Sequence, residues 1–213
     1  MVDPLTDDFA ACAEALRTDP ALIESTLDAK RFCLQLLSRG DPGLALVRSV
    51  VRDSGYKALV RASAARALSP EMDPIDVEHT CSLLLSGKIL TRYMAAVALC
   101  RTASPASVDA LIKALDDDEI CADMWWHLYV SDVVALALTR IGGVRAPALD
   151  AWYERRRREL SLPDVFEQER AACALARVGD AQGRAILEEC AATGRDMASD
   201  VLEALCDGSE PYL

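Results

Sequence analysis

Ala95-Ala96-Val97-Ala98-Leu99 and Ala171-Ala172-Cys173-Ala174-Leu175 are two copies of one five-residue phrase. Ala64-Ala65-Arg66-Ala67-Leu68 and Val134-Ala135-Leu136-Ala137-Leu138 repeat it, with Cys33 to Leu37 and Val201 to Leu205 as its degenerate ends. The closing leucines, Leu37, Leu68, Leu99, Leu138, Leu175 and Leu205, recur at intervals of about 30 to 40 residues, the length of two helices and two turns. Three and four positions before the four central leucines stand Ala65 and Ala64, Ala96 and Ala95, Ala135 and Val134, and Ala172 and Ala171, which places each pair on one helix face. Small residues there let neighbouring helices approach closely. A unit of this size cannot bury its own apolar face, so the copies must stack. The spacing predicts an all-α fold: an α-solenoid of about six antiparallel helix pairs.

The first helix of each unit carries the complementary stripe. Leu44, Val47 and Val51 form one; Val77, Cys81, Leu84 and Leu85 a second; Val108, Leu111, Ile112 and Leu115 a third; Ile186, Leu187 and Cys190 a fourth. Asp41-Pro42-Gly43, Ser69-Pro70, Ser104-Pro105, Gly142-Gly143 and Gly179-Asp180 each follow a closing leucine, where turns are expected. No polar and apolar alternation persists long enough to predict a strand. Residues 1–213 read as a single solenoid domain, with 1–42 a degenerate N-terminal capping repeat and 181–213 a C-terminal capping repeat and tail.

Composition narrows the function. The chain has 213 residues, 52% of them apolar and only 5% aromatic, so its core is filled by Ala, Leu and Val rather than by large rings. No apolar run reaches the roughly 20 residues that cross a bilayer, and Met1-Val2-Asp3-Pro4 lacks the basic and apolar parts of a secretory leader. A cytoplasmic location without membrane contact is expected. None of the eight cysteines forms Cys-x-x-Cys, and Cys100 and Cys206 each directly follow a repeat leucine, so reduced core thiols are expected. A net charge of −11 opposes the phosphate backbone, which argues against sequence-independent nucleic-acid binding. It suits a protein partner, a basic one in particular.

Ala135-Leu136-Ala137-Leu138-Thr139-Arg140-Ile141-Gly142, Ala172-Cys173-Ala174-Leu175-Ala176-Arg177-Val178-Gly179-Asp180 and Ala98-Leu99-Cys100-Arg101-Thr102-Ala103-Ser104-Pro105 carry a resemblance to the HEAT repeat family, in particular its bacterial branch similar to phycobilisome-lyase HEAT repeats. The resemblance covers residues 43–209 well and 5–42 loosely. It implies a HEAT-like superhelix, and with it a scaffold, adaptor or inhibitor. It also implies that a cation seven residues before the closing leucine, here Arg61, Arg92 and Lys30, bridges adjacent repeats. Ser131, Gln168 and Ala198 depart from that pattern.

The two longest intervals place about eight extra residues between the helices of two consecutive repeats, from Leu115 to Leu138 and from Tyr153 to Leu175. Equivalent turns of a solenoid emerge along one edge, so the two insertions are expected to be neighbours. The first contains Asp116-Asp117-Asp118-Glu119 and Met124-Trp125-Trp126-His127-Leu128-Tyr129; the second contains Arg155-Arg156-Arg157-Arg158 and follows Trp152. Trp, Tyr and Arg dominate interface energies. The reading is a partner-binding edge made by Trp125, Trp126, His127, Tyr129, Trp152, Arg155 and Arg158. In the competing reading, the tryptophans cover an extended helix and the arginines pair with Asp116 to Glu119.

Catalytic signals are sparse. His79 and His127 are the two histidines, and no phosphate loop, Gly-x-Ser-x-Gly elbow or His-Glu-x-x-His is present. Glu119, Asp123 and His127 share a helical spacing that could hold a divalent ion, but the spacing is loose and acidic residues are frequent, so a solvated face explains them better and no metal or cofactor is expected. The sequence points to a non-catalytic protein-interaction scaffold, adaptor or immunity-type inhibitor. The alternatives that the resemblance carries are a bilin lyase-like enzyme or chaperone and, further off, a HEAT-like DNA glycosylase, whose basic groove conflicts with the charge.

Overall fold

Alanine decides how closely these helices stack. The computed structural model describes residues 8–85, 88–119 and 129–207, which form thirteen α-helices and one 3-10 turn. Helices α3 (Thr26–Leu37), α5 (Ala58–Leu68), α7 (Ile89–Thr102), α9 (Val130–Ile141), α11 (Val165–Arg177) and α13 (Asp196–Asp207) pack side by side in chain order as one layer. Helices α1 (Phe9–Thr18), α4 (Asp41–Arg52), α6 (Pro74–Leu84) and α8 (Val108–Lys113) form a second layer. The short α2 (Pro20–Glu24) bridges α1 to α3, while α10 (Pro147–Glu159) and α12 (Ala181–Ala192) flank α11. Six pairs result, each ending in one of the alanine-rich helices. The fold is the expected all-α stack, and no described helix is long and apolar enough to cross a membrane.

The central helices of the first layer have neighbours on nearly every side. Tyr93 to Cys100 of α7 and Val130 to Leu138 of α9 are buried without interruption. A helix surrounded in this way is apolar all round instead of amphipathic. Ala64, Ala65, Ala95, Ala96, Ala135, Ala171 and Ala172 are all completely buried, on the face the sequence assigned to them. Leu68, Leu99, Leu138 and Leu175 are buried too, whereas Leu37 and Leu205, next to the ends of the stack, are only partly covered.

Acidic residues start the helices. Asp73 accepts from the backbone N–H groups of Ile75 and Asp76 while Asp76 accepts from that of Asp73, a reciprocal cap before α6. Asp164 and Asp180 cap α11 and α12 in the simpler manner. Cations of the preceding pair hold several of these acids. Arg52 of α4 donates to Asp76 at 2.7 Å, and Arg157 of α10 to Asp180 at 2.8 Å. Arg92 grips Asp117 at 2.6 Å and Glu119 at 2.9 Å, bridging two repeats as the resemblance implies. Arg61 differs: its Nε donates to the Val51 carbonyl within its own pair.

Several local expectations shift. Asp41-Pro42-Gly43 forms the first turn of α4, because proline near a helix start fits both its fixed φ and its missing N–H. Leu85 falls just beyond α6 and is half exposed. The seven described cysteines are free. Burial pushes the thiols of Cys33 and Cys173 up to about 12 and that of Cys100 up to about 11, so all three are inert at neutral pH. Cys206 is exposed, contrary to the core role its position suggested, because α13 buries the face that carries Ala198, Val201 and Ala204.

Gly43 and Gly183 hold matching places, each the third residue of a helix that follows an alanine-rich one. A Cβ at Gly43 would lie 1.8 Å from the Leu36 carbonyl oxygen, and one at Gly183 would lie 2.3 Å from Leu175 Cβ. Backbone meets backbone at the first of these corners, so no rotamer change relieves the clash. Gly43→Ala is expected to cost about 1–3 kcal/mol, read as a lowered urea midpoint. Gly40→Ala would test strain from positive φ alone, since its added Cβ meets nothing.

Candidate functional site

The joint between α9 and α11 is built differently from those before it: the two helices touch over a shorter stretch, and polar side chains of α10 fill the space. Leu149, Trp152, Arg156 and Leu160 succeed one another at helical spacing along one face of α10 and at its end, and all four are buried. Arg156 therefore occupies a core position. It is 1% exposed and uses its whole guanidinium. Its Nε donates to Asp132 at 2.7 Å, Nη2 to Asp118 at 2.9 Å and Ser131 at 3.0 Å, and Nη1 to both oxygens of Glu159. Burial opposes its charge, but Asp132, Glu159 and Asp118 outweigh that cost and push its pKa above the usual arginine value.

Asp132 is the hub on the other side. It accepts from Arg156, from Trp152 Nε1 at 3.2 Å and from the Tyr129 backbone N–H at 3.3 Å. Tyr129 lies under two cations, with Arg156 4.5 Å and Arg170 4.0 Å from its ring centroid. Arg170, also buried, forms ion pairs with Glu159 at 4.0 Å and with Glu167. Three elements, α9, α10 and α11, are thereby tied through side chains of both charges.

These contacts sort the residues expected along the binding edge. Trp125, Trp126 and His127 lie outside the described residues, as does Asp123. Trp152 is not at an edge: its completely buried indole donates into the core network. Tyr129 is half-buried between arginines. Arg155 reaches the Leu115 carbonyl at 3.0 Å and Asp118 at 3.3 Å, which brings the second arginine-rich segment against the acidic one, as the competing reading had it. Arg158 is exposed and donates to the Glu154 carbonyl of its own helix. The Arg155–Arg158 run does not form an inserted turn, because α10 extends through it to Glu159 and leaves only Leu160 to Asp164 as the connection.

The end of that connection and the first turn of α11 carry a feature that the sequence reading does not contain. Phe166 is 79% exposed, more than any other described large apolar residue, with Leu162 and Val165 beside it at 43% and 40%. Arg195 reaches from the following connection to the Val165 carbonyl at 3.2 Å and to Glu169 at 3.0 Å. An apolar patch with a polar rim is therefore presented at the start of α11. Its signal in the sequence is Phe166 standing two residues after the Asp164 cap, away from the Ala171 face.

Residues 91–117, from the start of α7 to the acid gripped by Arg92, match the model of the PBS lyase HEAT-like repeat. The chain carries a HEAT-like repeat. An engineered protein of known crystal structure is similar over 96% of this chain and 98% of its own, at 20% identity and a TM-score of 0.49. No curated protein matches the chain. The matched span runs from α7 into the following helix pair and contains both ends of the Arg92–Asp117 ion pair.

Removing Arg156 would strand Asp132 in the core. Arg156→Met is expected to destabilise the protein by about 3–5 kcal/mol. Arg156→Lys should recover less than half of that, because an ammonium cannot serve four partners in one plane. Chemical denaturation of the two variants checks both.

Proposed function

We propose that this HEAT-like repeat protein is a non-catalytic scaffold that holds a partner protein at the exposed edge where α10 connects to α11. The observation that carries this reading is Phe166, 79% exposed with Leu162 and Val165 beside it. Soluble proteins leave isolated apolar residues exposed without consequence, but an aromatic flanked by two aliphatics with an arginine at its rim has the make-up of an interface core. Arg195, which reaches the Val165 carbonyl, supplies that rim. The stack beneath is preformed, so docking would order few side chains and lose little entropy. A net charge of −11 would speed the approach of a basic partner, which fits an adaptor or an immunity-type inhibitor that covers a basic effector.

Affinity capture from the source cells, with the wild-type protein and Phe166→Ser compared, tests the reading. A captured protein that binds directly when purified should lose about 30-fold in Kd with Phe166→Ser, the range of an interface hot spot of about 2 kcal/mol. The variant's melting curve should coincide with that of the wild type, since the ring is mostly in solvent. Identical capture by both proteins would remove the edge as the working surface.

A further inference from the structure

The alanine-rich layer carries a row of cations that the chain's acidity conceals. Arg66, Arg101, Arg140 and Arg177 stand in the last turns of α5, α7, α9 and α11, four helices stacked in succession. Arg101, Arg140 and Arg177 each stand two residues past a closing leucine. Lys30 of α3 extends the row at its other end.

The side chains converge. The Arg66 guanidinium reaches across to the next helix, where Nη1 lies 3.4 Å from Met94 Sδ. Arg66 and Arg101 both act on Lys30, whose pKa is lowered to about 8 by burial first and then by these two arginines. Arg140, Arg101 and Arg177 all act on Cys100, the buried thiol of α7. The row is thus continuous from α3 to α11.

A cation in the last turn of a helix ordinarily serves the free carbonyls there. At the Lys30 and Arg66 end of the row two observations show that this is not what places the cations. Lys30 is the fifth residue of α3, far from its last turn. Arg66 Nε is buried without a hydrogen-bond partner among the described residues, so it is not engaged with carbonyl groups. Among the described residues neither Lys30 nor Arg66 forms a salt bridge within 4.0 Å, although the chain has 34 acidic residues to draw on. Like charges gathered where burial already disfavours them weaken a fold, and a ligand of opposite charge reverses that effect.

We propose that the row formed by Lys30, Arg66, Arg101, Arg140 and Arg177 binds an extended acidic segment of a partner protein, laid across the helices with a carboxylate at about every third residue. The register follows from two lengths. Packed helices lie about 8–10 Å apart, and a chain in the extended polyproline II form advances about 3.1 Å per residue and returns each third side chain to the same face. Every third side chain therefore meets the next helix. Nucleic acid fits less well, because base recognition on a single strand uses exposed aromatic platforms and Tyr93, the ring beside Arg66, is buried.

The test uses the whole protein and a fluorescein-labelled twelve-residue peptide with Glu at every third position, titrated by anisotropy in low salt. A peptide of the same composition with its four Glu contiguous, and oligothymidylate of twelve nucleotides, are the comparisons. The spaced peptide should bind saturably, more weakly as salt rises, and tighter than both comparisons. Lys30→Met with Arg66→Met should loosen it about tenfold, the equivalent of 1.4 kcal/mol, while the free protein melts at the same or a higher temperature. Should that double variant melt earlier, Arg177→Gln at the far end of the row decides, and must still loosen the spaced peptide by about threefold. Absence of saturable binding, unchanged affinity in the variants, equal affinity for the contiguous peptide, or tighter binding of the oligonucleotide would overturn the proposal.

Discussion

The distance between adjacent helices of the alanine-rich layer is the constraint on which the remaining architecture depends. Helices that meet through Ala64 and Ala65, Ala95 and Ala96, and Ala171 and Ala172 can come close because nothing longer than a methyl group intervenes. Each alanine buries little area, so stability has to come from burying many of them completely, together with Leu99, Leu138 and Leu175. This explains why α7 and α9 are enclosed over long unbroken runs instead of showing a single apolar stripe. It also explains why the corners are strict. When layers lie this close, the chain that crosses from one to the other has no room for a Cβ at Gly43 or Gly183.

Between α9 and α11 that constraint is relaxed, and a network of charges takes its place. Apolar residues of similar volume would fill such a space at least as stably, since taking Arg156, Asp132 and Glu159 out of water costs several kcal/mol per ion before any attraction is counted. What the network provides instead is a defined geometry. Asp132 binds Arg156, Trp152 and the backbone of Tyr129 at once, which fixes the start of α9 against the middle of α10. Glu159, through Arg156 and Arg170, ties the end of α10 to α11. Phe166 stands at this joint, in the first turn of α11, so the exposed ring rests on a network of directed side-chain contacts. Shape at that edge follows from charges beneath it.

The repeat was legible because it is written in residue size: small residues at two fixed positions before a leucine have few explanations other than close helix stacking. The chemistry of α10 was not. Arg155 to Arg158 read as an inserted, solvated turn, but Tyr153-Glu154-Arg155-Arg156-Arg157-Arg158-Glu159 is made mainly of good helix formers, and the extra residues lengthen the helix. Once the segment is helical, its four arginines face four directions. Arg156 points inward, Arg155 to the acidic segment, Arg157 to the next repeat and Arg158 to solvent. The spacing of Leu149, Trp152 and Arg156 contained this result, yet a charged residue at a core position is read as surface until its carboxylate partners are known. Those partners, Asp118 and Asp132, are far away in sequence. Trp152 was misassigned for the same reason, since its large ring is as suitable for an interface as for a core.

Net charge misleads in a related way. At physiological salt a charge is felt over about 8 Å, so a total of −11 describes the approach of a distant partner and not the surface it finally touches. Acids gather where helices begin, as Asp73, Asp76, Asp164 and Asp180 do, because exposed N–H groups stabilise them there. Arginines gather where the alanine-rich helices end, at 66, 101, 140 and 177. Side-by-side stacking aligns these arginines, with Lys30 of α3, as one row across the alanine-rich layer. A long duplex crossing the molecule would leave the basic row and meet acid within a few turns, whereas a short extended chain would not. The same chain can therefore repel polyanions at a distance and still hold an acidic segment at one face.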